Sequence, residues 1–361
     1  MITLTKGNLL ESDAEAFVNT VNCVGIMGKG IALQFKKAFP ENYEEYARAC
    51  KRGEVRIGKM FVYKTNELFN PKYIINFPTK RHWKSKSKID DIKKGLDDLI
   101  RQVQNLGIKS IAVPPLGSGL GGLKWTEVKP LIESAFEATP NIAVQLYQPL
   151  GSPKADKILI RTKKPNMTKG RALLIKALDL YRSQGYRHSL LEIQKLMFFL
   201  QEAGEKLRLN FQADQFGPYA DNLHHVLQHM DGHYIRGYGD RISRPEIYLI
   251  GNAMNKATDY LSKDKDAEQR LECLARLIKG FETPYGMELL ATVYWIVKEF
   301  PDAAEDAEKA IEKVRNWNDR KRNLMKPNHI KKAWERLKSE NWFNYKDPAK
   351  STSNPNFCVN S

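Results

Sequence analysis

The chain has 361 residues, 42% hydrophobic and 28% charged. These values exclude a mostly disordered or collagen-like polymer and leave room for two domains, three at most. Lys and Arg outnumber Asp and Glu by 58 to 42, a net charge of +16, so a polyanionic partner stands beside the plainer reading of a lysine-rich soluble surface.

No apolar run approaches the ~20 residues of a membrane-spanning helix. The opening MITLTKGNLLESDAE has neither the basic start nor the apolar core of a signal peptide. No membrane partner and a cytoplasmic location are therefore expected. Cys23, Cys50, Cys273 and Cys358 form no CxxC pair, and no two histidines have zincin spacing, so no metal and no cofactor are expected.

Through residue 148, strand-like and helix-like segments alternate. Met1–Lys6 and Ala16–Val21 read as strands. Lys29–Phe39 reads as a helix stopped by Pro40, and Glu41–Cys50 as another, ending near Gly53. Phe61–Tyr63 and Tyr73–Phe77 are strand-like. Ile89–Asn105 carries apolar residues at helical period and stops before Gly107. Ser110–Val113 is a strand ending in Pro-Pro, Trp125–Ala138 a helix and Ile142–Tyr147 a last strand. Such alternation predicts a layered α/β domain over 1–148.

Residues 149–168 are basic and proline-bearing and read as a linker, with a short strand at Ile158–Ile160. From Lys169 to residue 345 the pattern is mainly helical. Helices are predicted over Leu190–Leu209, Pro218–Met230, Glu246–Ser262, Ala267–Lys279, Met287–Phe300, Asp302–Trp317 and Pro327–Glu340. The polar tail 346–361 reads as disordered.

Two glycine-rich loops follow strands: Gly25-Ile-Met-Gly28-Lys-Gly30 after AFVNTVN, and Leu116-Gly117-Ser118-Gly119-Leu120-Gly121-Gly122 after SIAVPP. Glycines let backbone N–H groups approach a ligand closely, and a following helix adds a positive end, which suits a diphosphate. The plain alternative is that they make turns. Neither loop has P-loop or GxGxxG spacing, which disfavours nucleotide hydrolysis and hydride transfer.

The run of KGNLL (Lys6–Leu10), VNTVN (Val18–Asn22), GIMGKGIALQF (Gly25–Phe35), INFPTK (Ile75–Lys80) and PPLGSGLGGL (Pro114–Leu123) resembles the macrodomain family. The nearer likeness is to its branch holding terminal ADP-ribose protein glycohydrolase and the DarG-type antitoxins. The resemblance covers about residues 1–148. It implies a three-layer α/β/α fold with a mixed central sheet and an ADP-ribose cleft at the carboxyl ends of the strands. On that resemblance Asn8 and Leu9 read the adenine, although the family usually has Asp-Ile there. Thr20, Val21 and Asn22 lie at the distal ribose, with Asn22 orienting it. Ile31, Ala32, Leu33 and Gln34 border the diphosphate and ribose. Gly117, Ser118, Gly119, Leu120 and Gly121 wrap the phosphates, and Thr79 ends the INFPT strand beside Lys80.

The same resemblance singles out Lys80 for chemistry. A primary amine can attack the anomeric carbon of the distal ribose, open the ring as a Schiff base, or act as an acid on the leaving group. At an unperturbed pKa of ~10.4 few lysines are neutral at pH 7, so nucleophilic attack needs burial or a neighbouring cation. Without the resemblance Lys80 would read as a solvated surface lysine. The protein-directed glycohydrolase carries an aspartate where this chain has Gly121, and its loss suits a leaving group that is a base nitrogen rather than a carboxylate. Arg81, Trp83, Lys84, Lys86 and Lys88 then read either as a solvated loop or as contacts to DNA, cations to phosphates and Trp83 to a base.

The second half shows no catalytic constellation. His224, His225, His229 and His233 cluster with acids, but HHxxxH without a paired glutamate fits a polar helix face better than a metal site. The run LEIQKLMFFL (Leu191–Leu200) followed by FGPY (Phe216–Tyr219) is similar to Panacea/SocA-type helical antitoxin domains. Together the resemblances imply an antitoxin that removes ADP-ribose from single-stranded DNA modified on thymidine. Its helical half would restrain a DarT-type ADP-ribosyltransferase toxin. Two rivals are a non-catalytic ADP-ribose reader and a glycohydrolase for ADP-ribosylated protein or small esters.

Overall fold

A computed structural model describes residues 1–181, 186–242 and 244–344. The chain divides into two units. The first is Met1–Lys163 together with a short stretch that starts at Gly239, and the second is the remainder.

In the first unit the elements run β1 (Ile2–Thr5), β2 (Ala16–Asn22), α1 (Gly30–Ala38), α2 (Pro40–Lys51), β3 (Phe61–Lys64), β4 (Tyr73–Lys80), α3 (Ile89–Asn105), β5 (Ser110–Val113), α4 (Trp125–Glu137) and β6 (Ala143–Tyr147). The strands form one sheet in the order β1-β6-β5-β2-β4-β3. All pairs are parallel except β3 with β4, so the sheet is mixed, as expected. Because strand side chains alternate, β2 feeds both faces. Ala16 and Val18 join one buried layer with α3 and α4, while Phe17 packs with Phe35 and Phe39 on the other. Gly95 lets α3 lie close on the sheet, since a Cβ there would fall 2.2 Å from the Phe77 ring.

An asparagine ladder fixes the register beneath the loops. Asn19 stands opposite Asn76 and donates to its Oδ1 at 2.9 Å, and Asn76 donates to Asn42 Oδ1 at 2.7 Å. All three are fully buried.

Residues 149–163, read from composition as linker, are counted in the first unit. The strand expected at Ile158–Ile160 is absent: a single 3-10 turn spans Ala155–Lys157. Ile158 is buried, and the Arg161 N–H bonds Lys37 O at 2.8 Å. This stretch is held by packing and not by sheet pairing.

The second unit is mainly helical: α5 (Lys169–Asp179), α6 (Leu190–Glu202), α7 (Leu223–Met230), α8 (Ala253–Leu261), α9 (Lys265–Ile278), α10 (Pro284–Glu299), α11 (Asp302–Glu305), α12 (Ala307–Arg315), α13 (Asp319–Leu324) and α14 (Pro327–Ser339). Three expected helices are shorter. Leu190–Leu209 stops at Glu202. The start of Pro218–Met230 is a strand, Gly217–Tyr219, paired with Gln212–Asp214. The start of Glu246–Ser262 holds a strand, Tyr248–Leu249, paired with Ile235–Arg236. Asp302–Trp317 is broken at Asp306, which caps α12. The tail 346–361 lies outside the described residues. Among those described, no helix is long and apolar enough to cross a membrane.

Candidate active site

The site gathers where β2, β4 and β5 end. Val21 pairs with Pro78, but Asn22 pairs with Lys80, so β4 carries one extra residue, Thr79. This bulge turns Lys80 beside Asn22. Thr79 is the residue passed over: it is buried and its hydroxyl donates to Val21 O at 3.4 Å.

Lys80 is half-buried, and its Nζ donates to Leu120 O, in the second glycine loop, at 3.3 Å. Burial pulls its pKa down, and the ammonium of Lys86 pulls it further in the same direction. Both causes favour the neutral amine.

The second loop is closed by its own backbone: Ser118 N–H bonds Pro115 O, Gly122 N–H bonds Gly119 O and Leu123 N–H bonds Gly117 O, each at 3.0 Å. Among the described residues the N–H groups of Gly119, Leu120 and Gly121 have no partner, a geometry that can accept an anion. Position 121 has no room for a side chain. A Cβ there would lie 2.3 Å from Ser87 Oγ and 2.4 Å from Gly117 O. Ser87, which the sequence reading passed over, is buried and donates its N–H to Gly121 O at 3.0 Å.

The first loop is shaped by Asn22. Its Oδ1 accepts from the N–H of Val24 at 3.0 Å and of Ile26 at 3.3 Å, and its Nδ2 donates to Ile26 O at 2.6 Å. The Tyr46 hydroxyl bonds Asn22 O at 2.6 Å. The Asn22 amide is thus engaged in holding the loop. Gln34 and Leu33 are buried, Gln34 donating to Asp240 Oδ2 at 2.8 Å. Gly30 N–H, the first of α1, is taken by Asp240 O at 2.9 Å. Ile31, Ala32 and Thr20 are partly exposed at this end of the sheet.

Asn8 caps the 3-10 turn Leu9–Glu11: its Oδ1 accepts from Leu10 N–H at 3.1 Å and its Nδ2 donates to Glu11 at 3.1 Å. Leu9 is buried. On the basic loop Trp83 is half-exposed, with the Lys84 ammonium 5.0 Å from its ring centre. Lys86 and Lys88 are exposed, whereas Arg81 is engaged by Asp91 at 2.8 Å.

The second unit holds the other motif residues. Met197 and Phe198 are core; Phe216 is exposed under the Arg320 guanidinium, 4.5 Å from its ring centre. His224 is buried between the hydroxyls of Tyr219 and Tyr238, each at 2.5 Å, while His229 Nδ1 meets His225 O at 2.6 Å. Among the described residues no group of three or more His, Cys, Asp or Glu side chains could hold a metal.

The Macro domain family matches residues 18–132, the stretch from β2 into α4 that holds both glycine loops, so the α/β/α sandwich is a macrodomain. A DNA ADP-ribosyl glycohydrolase of Thermus aquaticus is 47% identical over 93% of this chain and 93% of its own length. The chain belongs to the DNA ADP-ribosyl glycohydrolase family. The solved macrodomain of Mycobacterium tuberculosis DarG is 58% identical, covering 41% of this chain and 98% of that one, with a TM-score of 0.41. A DNA ADP-ribosyl transferase–DNA ADP-ribosyl glycohydrolase fusion protein of Thermosipho africanus is 38% identical over 41% of this chain and 42% of its own.

Proposed function

We propose that the first unit hydrolyses ADP-ribose from single-stranded DNA modified on a thymidine base, and that Lys80 carries the chemistry. The observation that supports this most is the setting of Lys80: half-buried at the end of β4, beside Asn22, with Nζ on Leu120 O. Its amine attacks the anomeric carbon of the distal ribose. The bond to the base nitrogen breaks, the electron pair leaves on the base, and a proton from water completes it. Water then releases the sugar from the lysine as ADP-ribose and restores the amine. The loop N–H groups at Gly119–Gly121 hold the diphosphate, and the bulge keeps Asn22 and the first loop against the ribose. The second unit restrains a DarT-type ADP-ribosyltransferase by direct contact; the transferase–glycohydrolase fusion relative supports this pairing.

The test is ADP-ribose release from a thymidine-ADP-ribosylated single-stranded oligonucleotide. Wild type should release it, and Lys80→Ala should be slower by about 10²–10⁴-fold, as for loss of a proton-transfer or nucleophilic group. The lysine glycosylamine opens to a Schiff base before water releases the sugar, and borohydride should trap that adduct in wild type alone. No release by either protein, with ADP-ribose still bound, would make the first unit a reader or an enzyme for protein or ester substrates.

A further inference from the structure

The first unit contains one stretch from far along the chain. Three bonds fasten it to α1, the helix that follows the first glycine loop. Asp240 O accepts from Gly30 N–H at 2.9 Å, Asp240 Oδ2 from Gln34 Nε2 at 2.8 Å, and Gly239 O from Lys37 Nζ at 2.7 Å. Asp240 is fully buried, and its other oxygen accepts from Ile242 N–H at 3.1 Å, which sets the direction of the next residues.

Ile242 is thereby brought to the glycine loops. Built on Gly30, a Cβ would meet Ile242 Cδ1 at 3.1 Å and Leu120 Cδ1 at 3.6 Å. Ile242 and Leu120 therefore flank Gly30 together, and Leu120 is the residue whose carbonyl receives the Lys80 amine. Both side chains are large and aliphatic, yet Ile242 is 49% and Leu120 53% exposed. Two half-exposed aliphatic side chains side by side offer an apolar surface that a ligand gains by covering. The polar and anionic parts of ADP-ribose gain nothing from such a cover. The flat face of a nucleobase does; with the adenine read at Asn8 and Leu9, the base left for this end is the one that departs as Lys80 attacks.

We infer that Ile242 is a substrate-contacting, specificity-determining residue of the cleft: with Leu120 it clamps the nucleobase leaving group, and Asp240 positions it. This rests on the reading of the substrate as base-linked ADP-ribose on DNA.

The experiment uses the full chain carrying Ile242→Ser, Asp240→Ala or both. Release from the thymidine-ADP-ribosylated oligonucleotide is measured beside calorimetric binding of ADP-ribose, which carries adenine but not the thymidine leaving group. Ile242→Ser should raise KM for the oligonucleotide about tenfold, the loss of one apolar contact. Affinity for ADP-ribose should fall by much less. Asp240→Ala should show the same split, and the double variant should lose little beyond either single one, because the two act as one device. An oligonucleotide KM within about twofold of wild type for Ile242→Ser overturns the inference. So does a matching loss of ADP-ribose affinity, which would place Ile242 on the shared sugar-diphosphate. If wild type itself releases nothing, the DNA reading fails and the inference falls with it; unchanged release by the variants removes the inference alone.

Discussion

At the scale of single residues, the Lys80 amine is set by two causes, burial first and Lys86 second, and only the second can be removed without opening the cleft. Lys86→Gln should let the Lys80 pKa rise. The amine would then become available only at higher pH, so the acid limb of the kcat/KM profile should move upward. If Lys86 served DNA alone, KM would rise at every pH and the limb would stay where it is. Gly121 makes a second case. That the acid of the protein-directed branch is missing was legible in the sequence; why it cannot return was not. Ser87 Oγ and Gly117 O occupy the space of a Cβ at 121, and one of them is backbone. Gly121→Asp should cost about 1–3 kcal/mol of stability. It should also give no gain on a glutamyl-ADP-ribose peptide. Stable protein with new esterase-like release would show the loop yields.

At the scale of elements, local pattern carried far where one face alone decided the structure. Ile89–Asn105 and Ser110–Val113 occur with the bounds their periodicity predicts. It failed where short strands intervene. Residues 218–222 have helix-compatible composition, but Gly217, at φ 86°, lets the chain turn and pair Gly217–Tyr219 with Gln212–Asp214. The asparagine ladder was not visible either, because polar residues at 19, 42 and 76 meet only after the sheet forms. Asn76→Ala leaves Asn19 and Asn42 buried without their partner and should destabilise the first unit by about 1–3 kcal/mol in chemical denaturation. An unchanged midpoint would mean the ladder is redundant. In the second unit, buried Lys195 on α6 donates to Pro218 O at 2.6 Å. Burial, then the Lys321 ammonium, push its pKa down to about 7, against the opposing pull of Glu288 and Asp214. The unfolded chain holds that proton up to about pH 10.4. Between those values the unfolded state binds the extra proton, so stability should rise as pH climbs from about 7 to about 10 and level off below 7. Lys195→Met should remove that slope in thermal melts; an unaltered slope would assign it to other groups, such as Lys321.

At the scale of the whole molecule, the net charge of +16 could never say where a polyanion binds, since both halves of the chain are basic. Nor could any local pattern announce that Asp240 bonds a residue 206 positions earlier. Local sequence encodes the strands and loops that form the cleft, but the residues that complete it from a distance are specified only by the folded backbone. What the charge does allow is a separation of electrostatic from stacking contributions on the loop after Lys80. Lys84, Lys86 and Lys88 are exposed there, and Trp83 is half-exposed beside Lys84. Each lysine that neutralises a phosphate of a single strand adds about 0.7 to the slope of log affinity against log salt. Replacing all three by glutamine should lower that slope by about two. Trp83→Ala removes a stacking platform worth about 1–3 kcal/mol per base and should weaken binding at every salt concentration without altering the slope. Measured on an ADP-ribosylated single strand by titration in rising salt, the two variants should therefore differ in kind: one line less steep, the other parallel and lower. If neither line moves, the loop is a solvated surface and the DNA is held elsewhere on the chain.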